Sequence, residues 1–186
     1  MHRLFKRDQI LTIPNLLSVI RLLMIPVIVW LYCEKQDYIA AAAMIVLSGV
    51  TDIADGIIAR KFHLVSDLGK ILDPVADKLT QAALIFCLIE KFEWMLWLFI
   101  LFAVKEIVMG ISGMVVIKKK DVVNSSQWFG KLATVVLYAV MFFLFLFPDT
   151  PVEMVNVMIL ICAAALLLAF IKYLRFHISL LRSKES

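Results

Sequence analysis

The sequence predicts an all-α integral membrane protein, with six transmembrane helices following a short N-terminal interfacial helix. Three observations carry that reading. Of 186 residues, 63% are hydrophobic, and the mean hydropathy is +0.95, well above the roughly 45–50% apolar share of a soluble domain. The apolar residues fall in runs of about 20, the length a helix needs to cross a lipid core. Basic residues gather between alternate runs, as the cytoplasmic segments of a multi-pass protein require.

The first element is the segment 1–13. Arg3, Lys6 and Arg7 are interleaved with Leu4, Phe5, Ile10, Leu11 and Ile13, a pattern that suits a helix lying on the bilayer surface. It resembles a signal-peptide n-region, but the apolar run after it is long and has no small-x-small cleavage site, so the segment is expected to be retained. The six spans follow at Leu16–Cys33, Ile39–Ile58, Leu72–Ile89, Trp94–Ile117, Lys131–Phe147 and Glu153–Tyr173. Unbroken apolar runs lack the period-2 alternation of barrel strands, so the spans are read as helices. No repeat or low-complexity stretch divides the chain. Residues 14–176 read as one six-helix bundle, 177–186 as a polar tail, and 1–186 as a single domain.

Charge placement orients the bundle. Arg3, Lys6 and Arg7 precede the first span; Arg60, Lys61 and Lys70 join spans two and three; Lys118, Lys119, Lys120 and Lys131 join four and five; Lys172, Arg175, Arg182 and Lys184 follow six. The intervening connections are acidic, with Glu34, Asp37, Glu90, Glu93, Asp149 and Glu153. Both termini and the Arg60–Lys70 connection are therefore expected in the cytoplasm, and the protein in the cell membrane.

The net charge of +4 does not point to nucleic acid, because the basic residues form no single stripe with interleaved aromatics. Cys33, Cys87 and Cys162 stand alone in apolar runs, without metal-ligand spacing, and read as inert thiols. Trp94, Trp97 and Trp128 fit interfacial belts.

One feature opposes the lipid solvent. Asp52 and Asp55 end the second span at i, i+3, and Asp73 and Asp77 begin the third at i, i+4, so each pair shares a helix face. Each charge within a span costs roughly 2.5–3.5 kcal/mol on insertion scales, which makes such residues rare unless they are paired or functional. An antiparallel helix pair brings all four carboxylates to the cytoplasmic end. Four together repel, and one is driven to protonate unless cations intervene. Arg60, Lys70 and Lys78 offset part of that charge, and a pair of hard divalent cations, Mg²⁺ or Mn²⁺, does so better. The cluster thus reads as a two-metal site of the kind that stabilises in-line phosphoryl displacement. Gly56 beside Asp55, and Gly69 four residues before Asp73, clear space for a phosphate or nucleotide; their plain reading is close helix packing. Arg60 is placed to hold a pyrophosphate oxygen, or simply to anchor the helix at the membrane surface.

The pattern Asp52-x2-Asp55-Gly56-x2-Ala59-Arg60-x8-Gly69-x3-Asp73-x3-Asp77 resembles the signature of the CDP-alcohol phosphotransferases, position for position. The likeness extends to the opening Ile13-Pro14-Asn15-Leu16-Leu17-Ser18-x2-Arg21 and to the order of six spans. It implies an enzyme in which an acceptor hydroxyl attacks the β-phosphorus of a CDP-linked lipid, CDP-diacylglycerol, and CMP leaves. It further implies that Asp52, Asp55 and Asp73 hold two metal ions, while Asp77 touches the second ion and takes the hydroxyl proton. Gly56, Ala59, Arg60, Ser66 and Gly69 are then expected at the donor pyrophosphate and cytidine, with Asn15 and Ser18 completing the nucleotide pocket. A homodimer surrounded by membrane lipids is the expected assembly.

Within that family the chain looks most like the phosphatidylglycerophosphate synthases, through Pro14-Asn15, Lys70-x2-Asp73-Pro74-x-Ala76-Asp77-Lys78 and Lys105-Glu106-Ile107. Those enzymes commonly carry an Arg where this chain has Gly113, and a further basic residue where it has Ala133. Glycerol 3-phosphate is therefore the first acceptor expected, held by Lys131, Lys105 and Arg21, and phosphatidylglycerol, the acceptor of the family's cardiolipin synthases, is the alternative. Lys105 and Glu106 lie mid-span and read either as functional or as a mutual ion pair, and Arg21 either reaches a phosphate or snorkels to the surface. His63 reads as a solvated loop residue. A cation transporter is the competing class, and a scaffold protein a weaker one; a transporter predicts acids near the midplane on several helices, not at one end of two.

Overall fold

The computed structural model describes residues 13–61, 69–120 and 128–182. Among them every regular element is helical: α1 (Ile13–Val29), extended by a π-helical turn (Trp30–Glu34), α2 (Tyr38–Lys61), α3 (Gly69–Ile89), α4 (Glu93–Lys120), α5 (Trp128–Leu146) and α6 (Val152–Arg182). Each coincides with an expected span to within a few residues at most ends. The exception is α6, which continues past Tyr173 to Arg182, so the first part of the expected polar tail is helix. Phe176, Ile178, Leu180 and Leu181 continue its apolar pattern between the basic residues, and nothing in that stretch breaks a helix. The interfacial segment lies outside the described residues except for Ile13, which opens α1.

Five of these helices are long and apolar enough to cross a membrane: Asn15–Glu34, Tyr38–Ile58, Glu93–Val116, Trp128–Leu146 and Val152–Leu181. The chain is thus a multi-pass membrane protein. α3 has the length, with 21 residues, but Lys70, Asp73, Asp77 and Lys78 crowd its first half. Large apolar side chains such as Leu23, Ile39, Trp97 and Leu168 are exposed on the helices. In water such a surface would aggregate; in lipid it is the solvated surface.

The described helices form two compact units. In the first, which contains α1, α2, most of α3 and the end of α5, α1 packs along α2. The buried face of α1 runs Asn15, Ser18, Arg21, Met24, Ile28, Tyr32, at the three- and four-residue spacing of one helix side. Its N-terminal half is polar and its other half apolar. Tyr32 closes the apolar end against Tyr38 and Phe145, with ring centroids at 5.1 and 4.1 Å.

The turn between α1 and α2 follows from local chemistry. The π-turn closes with Lys35 N–H donating to the Trp30 carbonyl (3.1 Å), and Asp37 N–H reaches back to Leu31 (3.0 Å). Gln36 between them takes φ 53°, the left-handed conformation that ends helices. Asp37 then caps α2, its Oδ1 accepting from the Ala40 N–H at 3.0 Å.

In the second unit α4 packs on α6. Met95, Leu98, Phe102 and Lys105 lie along the buried side of α4, and Val155, Ile159, Cys162, Leu166, Ala169 and His177 along that of α6. Ser112 Oγ meets His177 Nδ1 at 2.8 Å, so the buried imidazole has a polar partner. Phe129 of α5 stacks edge-on against Tyr173 at 4.8 Å. Beside it, Gly130 is so close that a Cβ there would lie 2.6 Å from the Tyr173 hydroxyl oxygen.

Candidate active site

The first unit gathers the carboxylates through the polar face of α1. Asn15, Ser18 and Arg21 succeed one another every three residues and are 3%, 0% and 2% exposed. Arg21 reaches α2 with both arms of its guanidinium: Nη1 pairs with Asp52 Oδ1 and Nη2 with Asp55 Oδ2. Ser18, one turn earlier, donates to Asp73 Oδ1 of α3 at 2.5 Å. One helix face therefore ties a carboxylate pair on α2 to the first carboxylate of α3.

The four acids differ in access. The Asp55 side chain is buried at 4% exposure, while that of Asp52, on the outer arm of the same guanidinium, is 51% exposed. Asp77 is partly open, with Lys78 Nζ 3.7 Å from its Oδ2. Gln81, one turn further along α3, donates from Nε2 to both Asp77 oxygens, at 3.3 and 3.2 Å. Gly56 lies one turn beyond Asp52 on α2, Ala59 and Arg60 stand in the last turns of α2, and Gly69 opens α3. Ser66 lies outside the described residues.

Three features add to the sequence reading. Among the described side chains Arg21 pairs with two of the four acids and Lys78 stands beside a third, because α1 runs beside α2 and presents a buried guanidinium at the height of the acids; the side chains of Arg60 and Lys70 are not among those described. Arg21 accordingly does not snorkel. Ser18 meets a carboxylate of α3, and Gln81, which no motif marks, meets another. Only the i, i+4, i+8 succession Asp73, Asp77, Gln81 signalled that this glutamine shares the carboxylate face.

The donor set suits a hard divalent cation: four carboxylates, oxygen atoms only, with two described cations, Arg21 and Lys78, against four acids. Among the described residues no three acidic, histidine or cysteine side chains converge closely enough to hold one ion. Arg21 occupies the position between Asp52 and Asp55 where their charges are neutralised.

The remaining sequence candidates belong to the second unit. Lys105 is buried and pairs with the adjacent Glu106 at 2.6 Å, which is the mutual ion pair weighed above. Lys131 is exposed on α5. At Gly113 an added Cβ would meet nothing within 4 Å, whereas Ala133 is buried. The three tryptophans read as belt residues, Trp94, Trp97 and Trp128, are exposed.

The sequence profile of the CDP-alcohol phosphatidyltransferases matches residues 11–171, and with that extent of match the chain belongs to this family. Among similar proteins, a cardiolipin synthase (CMP-forming) of Streptomyces coelicolor is 36% identical over 104 residues, covering 53% of this chain and 48% of that protein. A CDP-diacylglycerol--glycerol-3-phosphate 3-phosphatidyltransferase of Rickettsia typhi is 40% identical over 81 residues, 42% of this chain and 46% of that protein. A cardiolipin synthase (CMP-forming) / mitochondrial hydrolase fusion protein of Schizosaccharomyces pombe is 51% identical over 83 residues, 44% of this chain and 14% of that protein. The matched stretch thus spans less than half of each of these relatives.

Proposed function

We propose that the protein is a phosphatidyltransferase of phospholipid biosynthesis, which moves the phosphatidyl group of CDP-diacylglycerol to an alcohol and releases CMP. The observation that carries this reading is the buried polar face of α1, which joins carboxylates of α2 and α3 into one cluster beside the half-open Asp52. A structural role needs no such cluster in a membrane protein, where each unpaired acid is costly. The fold unit is one membrane domain with six crossings, α3 being the sixth, with termini and cluster at the cytoplasmic face, and a homodimer in the bilayer.

In the reaction the acceptor hydroxyl oxygen forms a bond to the β-phosphorus as the bond from that phosphorus to the CMP oxygen breaks. Asp77, partly exposed and held at its carboxylate by Gln81, takes the hydroxyl proton as general base. Asp52, Asp55, Asp73 and Asp77 are the residues that would hold two divalent cations, which when bound neutralise the pyrophosphate and polarise the phosphorus. Asn15, Ser18, Gly56, Ala59, Arg60, Ser66 and Gly69 bind the donor head group.

Glycerol 3-phosphate is the first acceptor, with Lys131, Lys105 and Arg21 as its phosphate-binding residues; phosphatidylglycerol is the second reading, supported by the cardiolipin synthases among the similar proteins. The deciding experiment gives the purified protein CDP-diacylglycerol with each acceptor and follows CMP and the lipid product. Phosphatidylglycerophosphate formation that falls with Lys131→Ala, through an acceptor KM raised roughly tenfold or more, supports the first. Cardiolipin formation with no use of glycerol 3-phosphate overturns the acceptor assignment, and no CMP release with either overturns the phosphatidyltransfer reading itself.

A further inference from the structure

Gln81 is 1% exposed, and a buried amide must satisfy its donors and acceptor or cost stability. It does so entirely toward the reactive end of α3. Its Nε2 donates to Asp77 Oδ1 and Oδ2 at 3.3 and 3.2 Å, and its Oε1 accepts from Lys78 Nζ at 3.3 Å. Lys78 in turn stands 3.7 Å from Asp77 Oδ2. The three side chains close a ring on one face of a single helix.

We propose that Gln81 is a positioning residue for the transfer: it fixes the orientation of the Asp77 carboxylate and keeps the Lys78 ammonium beside it. This inference rests on the reading of Asp77 as general base. A carboxylate near a helix surface has several staggered rotamers open to it, and a neighbour immobilised by packing selects one. An amide suits that task. Its N–H groups hold both oxygens, yet it carries no charge and does not compete for the proton that Asp77 receives. Its carbonyl gives the ammonium a second partner, so Lys78 is not drawn fully onto the carboxylate. Packing alone gives no reason for glutamine here, since a leucine or methionine fills the same volume without desolvating an amide.

The test is kinetic, on the full-length protein in detergent or membranes with CDP-diacylglycerol and whichever acceptor supports transfer. Gln81→Met keeps length and bulk but removes all three hydrogen bonds; Gln81→Glu keeps the shape but sets a second carboxylate against Asp77. Both are expected to lower kcat about tenfold, with donor KM within about twofold of wild type and an undiminished thermal midpoint for the Met variant. In the double variant with Asp77→Asn, Gln81→Met should add no further loss, because the group it orients is gone. Wild-type kcat in Gln81→Met, with Asp77→Asn inactive, overturns the inference and leaves the general base in place. A loss of kcat accompanied by raised donor KM and a lowered midpoint overturns it too, by making Gln81 structural. If Gln81→Met does not fold, Gln81→Glu is judged by the same kinetic criteria. Wild-type turnover in Asp77→Asn overturns the general-base reading first, and this inference with it.

Discussion

Arg21→Met is the most informative single change outside the carboxylates. Methionine keeps the unbranched stem and much of the bulk, so the loss is chiefly the guanidinium. Its two arms are not equivalent. The Asp52 side chain is 51% exposed, and a pair with one partner that open contributes at most about 1 kcal/mol. The Asp55 side chain is 4% exposed and Arg21 is 3%, so removing one partner leaves a buried charge uncompensated, at a cost of roughly 3–5 kcal/mol. For a chain of this size about 2–4 °C accompanies each kcal/mol, giving a fall of order 10 °C in thermal midpoint. The assay is thermal unfolding of detergent-solubilised protein in excess chelator, with wild type, Arg21→Met, Arg21→Lys and Arg21→Met/Asp55→Asn side by side. Arg21→Lys restores one charge but not the fork that reaches two acids, so an intermediate midpoint is expected. Removing the stranded charge with Asp55→Asn should recover most of the loss. A wild-type midpoint in Arg21→Met would refute the argument that the guanidinium holds the cluster together.

Three other outcomes are expected. Chelation should abolish transfer and Mg²⁺ or Mn²⁺ should restore it, while Asp52→Asn should lose both metal binding, measured directly with Mn²⁺, and turnover; full activity in excess chelator would sink the two-metal reading. Single cysteines introduced at His63 and Gln36 in a cysteine-free background should react with an impermeant reagent from opposite sides of sealed membranes, and labelling of both from one side would overturn the six-span reading, since α2 alone separates them. Gly130→Ala sets a methyl group 2.6 Å from the Tyr173 hydroxyl, so the ring must shift off Phe129, at about 1–3 kcal/mol; an unchanged thermal midpoint would show that the contact yields freely.

The helices were legible in the sequence because lipid leaves the backbone few choices. A run of about 20 apolar residues must satisfy its peptide groups internally, and so becomes a helix wherever it sits. The pairing of Asp52 with Asp55 and of Asp73 with Asp77 was legible for the same reason, since one helix turn fixes which side chains share a face. The family, too, could be read from eight residues at fixed spacing, and the match over residues 11–171 agrees. What the sequence left open concerns contacts between helices. Arg21 stands 31 and 34 residues before the two acids it bridges, and Ser18 stands 55 before Asp73, separations to which helical periodicity assigns no geometry. Only the packing of α1 along α2 shows that this arginine is turned inward, onto Asp52 and Asp55. Periodicity placed Gln81 on the carboxylate face, but the burial that makes its hydrogen bonds to Asp77 obligatory comes from the folded unit around α3. Sequence determines which atoms a helix can present; tertiary structure decides which of them lose their solvent, and a polar group that loses its solvent must find a partner.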